Sequence, residues 1–400
     1  MWGKSFDAAS RLHDRLRSHM AARFYLDHNA TTPVHPDASR AMTPFLAEQF
    51  GNPSSIHARG RAARAAMDAA RDGMASLLGA KSKEIVFTSG GTESNNLALF
   101  GAAHAHQSRG RHVVTCATEH HAVLHPCERL RDEGWEVTVL PVDAMGRLDV
   151  GALADAIRPE TLLVSIMSAN NETGTRQPVR EIGVLCRGRG VLFHCDATQS
   201  FGKERVHVGE WNADLLSITA HKFYGPKGAA LLYARSGVQL QPQLLGGAHE
   251  HERRAGTENV AAIAGMAAAA GIASQQAEAE NKRLFTLTEN LWAELSRSIM
   301  EIRRNGHATE RLGNTLNVSF SDCDGEALLM GLDLEGVEVS SGSACMVGSV
   351  QPSHVLKAMG VDAKLATARF SLGSSSKEEH IPKIVSRVKL VVGRVRQSRS

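Results

Sequence analysis

Rings are scarce in this sequence: four tryptophans, three tyrosines and twelve phenylalanines make up 5% of 400 residues. So thin a supply of stacking platforms argues against a nucleic-acid-binding surface. Charge of one sign is lacking too, since 45 basic residues against 42 acidic ones leave a formal +3 spread along the chain. That excludes a dominant footprint for a polyanion and leaves room only for a small anionic ligand. The densest basic run, Arg59, Arg61, Arg64 and Arg71, falls at helical spacing among alanines and reads as a solvated helix face. Cysteine is sparse: six residues, Cys116, Cys127, Cys186, Cys195, Cys323 and Cys345, show no paired metal-type spacing. A chain this long folds without disulfide staples, so the expected setting is reducing and cytoplasmic. No apolar run reaches the roughly 20 residues of a membrane span, the best, Ala261 to Ile272, being short and alanine-rich. The stretch up to Met20 is basic but holds Asp7 and Asp14 and no apolar centre, so a secretory signal is not expected. Translation from Met20 is an open alternative. Repeats and low-complexity tracts are also missing.

What is present is an alternation. Short apolar runs at Ile85 to Thr88, His112 to Thr115, Val137 to Leu140, Leu162 to Met167, Val191 to Cys195, Leu215 to Thr219 and Ala229 to Tyr233 are separated by helical stretches. That pattern predicts an α/β fold, a mainly parallel sheet covered by helices on both faces. Ligands of such sheets sit beyond the carboxyl ends of the strands. A long helical pattern over about 259–303 precedes a second block with strands near Thr315 to Phe320, Val337 to Ser340 and Thr367 to Leu372. The expected organisation is therefore an extension over 1–23, a large domain over 24–258, a connecting helix over 259–303 and a small α+β domain over 304–400. The segment before Ile85, with a helix from Gly60 to Leu78, is open to either domain.

Chemically capable residues follow the strand ends. After Thr88 comes Ser89-Gly90-Gly91-Thr92-Glu93-Ser94-Asn95-Asn96, where two glycines let amides crowd together at a helix start and the Thr92 hydroxyl adds a donor. This is an anion cradle, though glycine-rich turns are common and the Gly-Lys-Ser/Thr ending of a Walker motif is absent. Asp196-Ala197-Thr198-Gln199 ends another apolar strand, where a helix cap is the plain alternative. Thr219-Ala220-His221-Lys222 ends a third, ahead of the turn Tyr224-Gly225-Pro226-Lys227-Gly228. A lysine that enters an enclosed site must have a partner or a task, because burying a lone ammonium is costly. Together the three clusters suit one cofactor, pyridoxal 5'-phosphate: its phosphate at Gly91 and Thr92, a carboxylate at Asp196 for the pyridine nitrogen, and an amine at Lys222 for the aldehyde.

With these clusters stand Tyr25-Leu26-Asp27-His28-Asn29-Ala30-Thr31-Thr32-Pro33, Gly51-Asn52-Pro53-Ser54-Ser55, Thr118-Glu119-His120 and Asn170-Asn171-Glu172. From about Phe24 to Gly373 the chain resembles the cysteine desulfurases of the NifS/IscS type. The resemblance implies the fold-type I architecture of pyridoxal-phosphate enzymes, class V aminotransferase branch, and a homodimer. It also implies that His120 stacks on the pyridine ring and helps move protons, and that Asn171 and Gln199 hold the cofactor oxygen or the substrate carboxylate. By the same resemblance Thr219 and His221 join Thr92 at the phosphate, and Thr257, in Arg254-Ala255-Gly256-Thr257, reaches the phosphate of the neighbouring subunit. Arg369, in Thr367-Ala368-Arg369-Phe370-Ser371, resembles the family's substrate-carboxylate arginine, whose planar fork suits a carboxylate.

The segment Ser340-Ser341-Gly342-Ser343-Ala344-Cys345-Met346-Val347-Gly348-Ser349-Val350-Gln351-Pro352-Ser353-His354 surrounds one cysteine with small residues, as suits a nucleophile that travels. Standing alone, Cys345 would read as inert packing. Beside such a cofactor site it resembles the long-loop class of desulfurases. The implied reaction converts L-cysteine to L-alanine, with Lys222 anchoring the cofactor and Cys345 taking the sulfur as a persulfide for an iron–sulfur scaffold or other acceptor protein. Val347 to His354 and the short tail after Arg396 look closest to nitrogenase-associated NifS. The alternatives are a housekeeping IscS-type desulfurase serving general iron–sulfur assembly and tRNA thiolation, a selenocysteine lyase, or, in another class, a non-catalytic sulfur carrier or scaffold. His121, often lysine in relatives, and His125 have helical spacing suited to zinc, but no further ligands converge on them, so no metal is expected.

Overall fold

A computed structural model describes residues 23–341 and 353–398. In chain order the main elements are β1 (Phe24–Tyr25), α1 (Pro36–Ala47), α2 (Ala58–Leu78), β2 (Ile85–Thr88), α3 (Gly91–His106), β3 (His112–Cys116), α4 (His121–Asp132) and β4 (Glu136–Leu140). There follow α5 (Val150–Ala156), β5 (Thr161–Ser165), α6 (Val179–Arg189), β6 (Leu192–Asp196), β7 (Leu215–Thr219), β8 (Ala230–Ala234) and α7 (Val260–Ser298). The chain closes with β9 (Ile302–Asn305), β10 (Thr315–Phe320), α8 (Gly325–Leu334), β11 (Val337–Glu338), α9 (His354–Ala358), β12 (Ala366–Ser371) and α10 (Ile381–Gln397).

Among the described residues, seven strands form one sheet in the order β2-β8-β7-β6-β5-β3-β4. All neighbours are parallel except β8, which runs antiparallel to both β2 and β7. Strands β3, β5, β6, β7 and β8 are buried along their whole length, as helices on both faces require, and this explains their continuous apolar runs. Only the edge strand β4 meets solvent. A second sheet, β12-β10-β9, is antiparallel, and β1 pairs in parallel with β11 beside it. Phe24 and Leu26 thus belong to the second core, with Leu316, Phe320 and Phe370.

Two expectations need correction. The helix predicted over 259–303 stops at Ser298; Glu301 takes a left-handed turn (φ 56°), and Ile302–Asn305 becomes an edge strand paired with β10. Arg71 is no part of a solvated face. Arg59, Arg61 and Arg64 are exposed, but Arg71 lies one helical turn after Met67 on the buried stripe of α2 and is 5% exposed.

By length and composition α7 is the one described helix that passes the test for a membrane span. Its apolar residues are otherwise engaged: Ile263, Met266, Ala269 and Ala270 lie in the core under the large sheet, and Leu284, Leu287, Leu291 and Leu295 in the core under the small one.

Candidate active site

The carboxyl ends of β2, β3, β5, β6 and β7 feed loops that meet around a cavity of about 460 Å³. Of the residues singled out in the sequence, Gly91, Thr92, His120, Asn171, Asp196, Gln199, Thr219, His221, Lys222 and Arg369 all line it. They come from segments scattered over most of the chain, which only the parallel topology brings together.

At one end stands the start of α3. Its cap position is Gly90, and no side chain caps it, so the first amides of a 16-residue helix point onward unsatisfied by any cap. A Cβ at Gly91 would come within 3.2 Å of Thr198 Oγ1 and 3.7 Å of the Thr219 side chain, a tight fit that a larger residue meets only if Thr198 shifts slightly. His221 Nδ1 is 3.2 Å from Thr31 Oγ1, and burial lowers its basicity to about 4, leaving a neutral ring.

At the centre, Asp196 Oδ2 accepts from Asn95 Nδ2 at 2.7 Å and its Oδ1 accepts from the Thr198 amide at 2.9 Å. These donors fix the carboxylate at the end of β6. His120 caps α4, its Nδ1 accepting from the Ala122 amide at 3.0 Å. With that lone pair engaged, the ring proton sits on Nε2, and burial pushes the pKa below the ordinary imidazole value. His120 therefore presents a donor, and acting as a base requires it to release Ala122.

Lys222 Nζ donates to the carbonyls of Asn29 at 2.6 Å and Ala30 at 2.8 Å. Burial and then the nearby Arg369 bring its pKa down to about 8, against the pull of Asp27 and Asp196. Gln199 Nε2 shares the Asn29 carbonyl at 3.1 Å. Across the cavity Arg369 donates from Nη1 to the Asn171 carbonyl at 3.0 Å and from Nη2 to Asp27 Oδ1 at 2.6 Å. Its Nε is buried without a partner, one donor left for an incoming acceptor.

Thr257 does not line its own chain's cavity. It is exposed, on a stretch held by the ion pair of Arg254 with Glu93 (2.7 Å) in the first turn of α3. Cys345 lies outside the described residues. The residues on either side are informative: Ser340 and His354 both line the cavity, Ser353 Oγ donates to Glu172 Oε2 at 2.5 Å, and His354 Nε2 is 2.8 Å from the Glu119 carbonyl. His121 stacks on His125 at 4.8 Å and lies 4.6 Å from His354, yet among the described residues no group of three or more His, Cys, Asp or Glu is arranged to hold a metal.

The aminotransferase class-V family matches residues 24–384. A cysteine desulfurase IscS from Dictyoglomus turgidum is 48% identical over 364 residues, covering 90% of this chain and 92% of that protein. Among solved structures, a NifS-like protein superposes with a TM-score of 0.88 at 35% identity, covering 93% of this chain and all of the other. A structure described as SspA in complex with cysteine gives 0.76 at 35% identity over 87% of this chain and 98% of that one. The chain belongs to the cysteine desulfurases of aminotransferase class V.

Pyridoxal phosphate is the cofactor of these desulfurases, and the residues present fit it. The uncapped start of α3 offers amides to a phosphate, Asp196 is held ready for a ring nitrogen, and Lys222 is pushed toward its neutral, nucleophilic form. Two buried polar atoms on the cavity side, Asn95 Oδ1 and Thr198 Oγ1, have no partner in the protein itself. Polar atoms so buried require partners, and a bound polar ligand supplies them.

Several desulfurase residues escaped the sequence reading. Asn95 was visible one helical turn after the glycines, where a side chain shares the face of Gly91, but its task depends on Asp196, 101 residues away. The carbonyls of Asn29 and Ala30 left no signal, since main-chain acceptors look alike in any sequence. Glu172 and Glu119 were quoted as motif residues without a role; both are buried, and burial pushes both carboxyls above the ordinary range.

Proposed function

We propose that this desulfurase takes sulfur from L-cysteine onto Cys345, releases L-alanine, and serves as a general sulfur donor for iron–sulfur assembly and tRNA thiolation. The general role replaces the leaning toward nitrogenase-associated NifS: the IscS-named relative shares 48% of its residues across nearly the full chain, whereas the NifS-like structure shares 35%. For the nucleophile, the observation that carries most weight is elimination together with position. Cys116, Cys127, Cys186, Cys195 and Cys323 are all buried. Burial pushes Cys116 up to about 11 and Cys127 and Cys186 to about 12, far from the thiolate needed to attack sulfur. Ser340 and His354, described residues before and after Cys345 in sequence, both line the cavity. Thiols without a disulfide, such as Cys116, Cys127, Cys186 and Cys195, suit a reducing, cytoplasmic setting.

Pyridoxal phosphate, when bound, supplies an electron-withdrawing ring conjugated to the α-carbon of the amino acid. The protein does the rest. The α3 amides, Thr92, Thr219 and His221 would hold the phosphate, and Asp196 would keep a proton on the ring nitrogen. Lys222 Nζ would hold the aldehyde and is the amine placed to carry the α-proton of the substrate. Arg369 orients the substrate carboxylate, and Cys345 attacks the sulfur so that an S–S bond forms as the C–S bond breaks. Exposed Thr257 and its Glu93-anchored stretch support a homodimer in which each chain completes the phosphate site of the other.

The test incubates purified protein with cysteine and quantifies alanine and sulfide for wild type, Cys345→Ala and Lys222→Ala. Cys345→Ala is expected to take up cofactor and colour normally yet release no sulfur; sustained sulfide production would reject Cys345. Growth of a bacterium lacking its general desulfurase, restored by this chain without nitrogen-fixing conditions, tests the general role. Rescue confined to nitrogen-fixing growth would return the assignment to nitrogenase.

A further inference from the structure

A second lysine stands behind the first. Lys203, four residues after Gln199, donates from Nζ to the Gln199 main-chain carbonyl at 2.9 Å and to its side-chain Oε1 at 3.1 Å. The other end of the same carboxamide, Nε2, donates at 3.1 Å to the Asn29 carbonyl that also receives Lys222 Nζ at 2.6 Å. A carboxamide has one accepting and one donating end, so an amine that donates to the first and a carbonyl that accepts from the second favour one orientation. Reversing it would turn the NH2 onto the Lys203 amine and the oxygen onto the Asn29 carbonyl.

The surroundings do not explain Lys203 as an ordinary ion-pair residue. No carboxylate lies within salt-bridge reach of it among the described residues, and its sequence neighbour Glu204 is engaged by Arg176 at 2.8 Å. Charged groups near it include Lys222, Glu204 and Arg369. Lys203 and Lys222 line one back cavity of about 30 Å³, with His28, Tyr224 and Glu280 among the other walls. Burial and the neighbouring Lys222 hold Lys203 down to about 7, so its position here costs free energy. A lysine kept under such conditions needs a return, and the main-chain and side-chain oxygens of Gln199 are the contacts that offer one.

The geometry points to Lys203 as a positioning residue of the cofactor site, which locks the Gln199 carboxamide with its donating end on the Asn29–Lys222 side of the cavity and so presents that end to pyridoxal phosphate. A role confined to the turn would need only the main-chain contact. The proposal rests on pyridoxal phosphate as cofactor and not on cysteine as substrate, so absence of sulfide release leaves it untouched.

The experiment measures the dissociation constant of pyridoxal phosphate and the visible circular dichroism of the bound cofactor in the full-length protein. Lys203→Met should weaken cofactor binding roughly tenfold, the worth of a charge-assisted hydrogen bond, and alter the dichroism band. Lys203→Arg should restore most of both, and in a Gln199→Ala background Lys203→Met should have no further effect. Wild-type affinity and dichroism in Lys203→Met, or an undiminished loss in the Gln199→Ala background, would overturn the proposal. If the methionine variant does not fold, Lys203→Gln retains a donor without charge and is expected to bind cofactor within about threefold of wild type; a tenfold loss there at unchanged thermal unfolding overturns it equally.

Discussion

Lys222 Nζ rests on the carbonyl of Asn29, 2.6 Å away across 193 positions of sequence. The contact joins the loop after β7 to the loop after β1, and hence the large sheet to the small one. Carbonyls accept from the amine in either protonation state, so they hold Lys222 in place without demanding its charge.

Cofactor capture should therefore be controlled by the titration of Lys222. Only the neutral amine attacks an aldehyde, and a pKa lowered to about 8 makes the capture rate of cofactor-free protein climb as pH rises through about 8 and level off above it. Arg369 contributes to the lowering, so Arg369→Met should move the midpoint upward. Stopped-flow absorbance on mixing protein with pyridoxal phosphate reads both; a rate flat across that range would contradict the assignment.

Arg369→Lys should keep the charge and lose the fork. Arginine spans the Asn171 carbonyl and Asp27 from one guanidinium while retaining a free Nε, which three donors on one lysine nitrogen cannot copy. We expect KM for cysteine to rise about tenfold or more with a smaller change in kcat, measured by alanine release. A fall confined to kcat would argue against a carboxylate-binding role.

Stability should depend sharply on Arg71. Its Nη2 and Nη1 reach Glu250 Oε1 and Oε2 at 2.6 and 2.7 Å, Nη1 also reaches the Ile85 carbonyl, and both side chains are buried. Arg71→Met leaves a buried carboxylate with no cation and only the Phe87 amide as donor, and should cost about 3–5 kcal/mol in urea unfolding, whereas Arg71→Met with Glu250→Leu should recover part of that loss. An effect below about 1 kcal/mol in the single variant would mean that the pair is hydrated and weak.

The sequence made the large sheet legible because its strands, the edge strand β4 apart, are buried on both faces and read as short apolar runs with few polar breaks. β8, antiparallel among parallel neighbours, was hidden, since direction leaves no trace in composition. Arg71 was misread because a basic residue on a helix defaults to solvent, and its partner Glu250 lies 179 positions away. Most of the site was readable where a residue type has few other reasons to follow a strand: a glycine pair, Asp196, Lys222. Lys203 was not, because a lysine in a turn looks like any surface lysine until Gln199 and Asn29 are placed around it.

The helix α7, at 1.5 Å per residue, runs about 58 Å, and its two halves serve different cores. A chain cut near its middle leaves each fragment with an exposed leucine or alanine stripe and an incomplete interior. The two sheets therefore share one beam, and neither can be expected to stand as an autonomous module after the chain is divided along it.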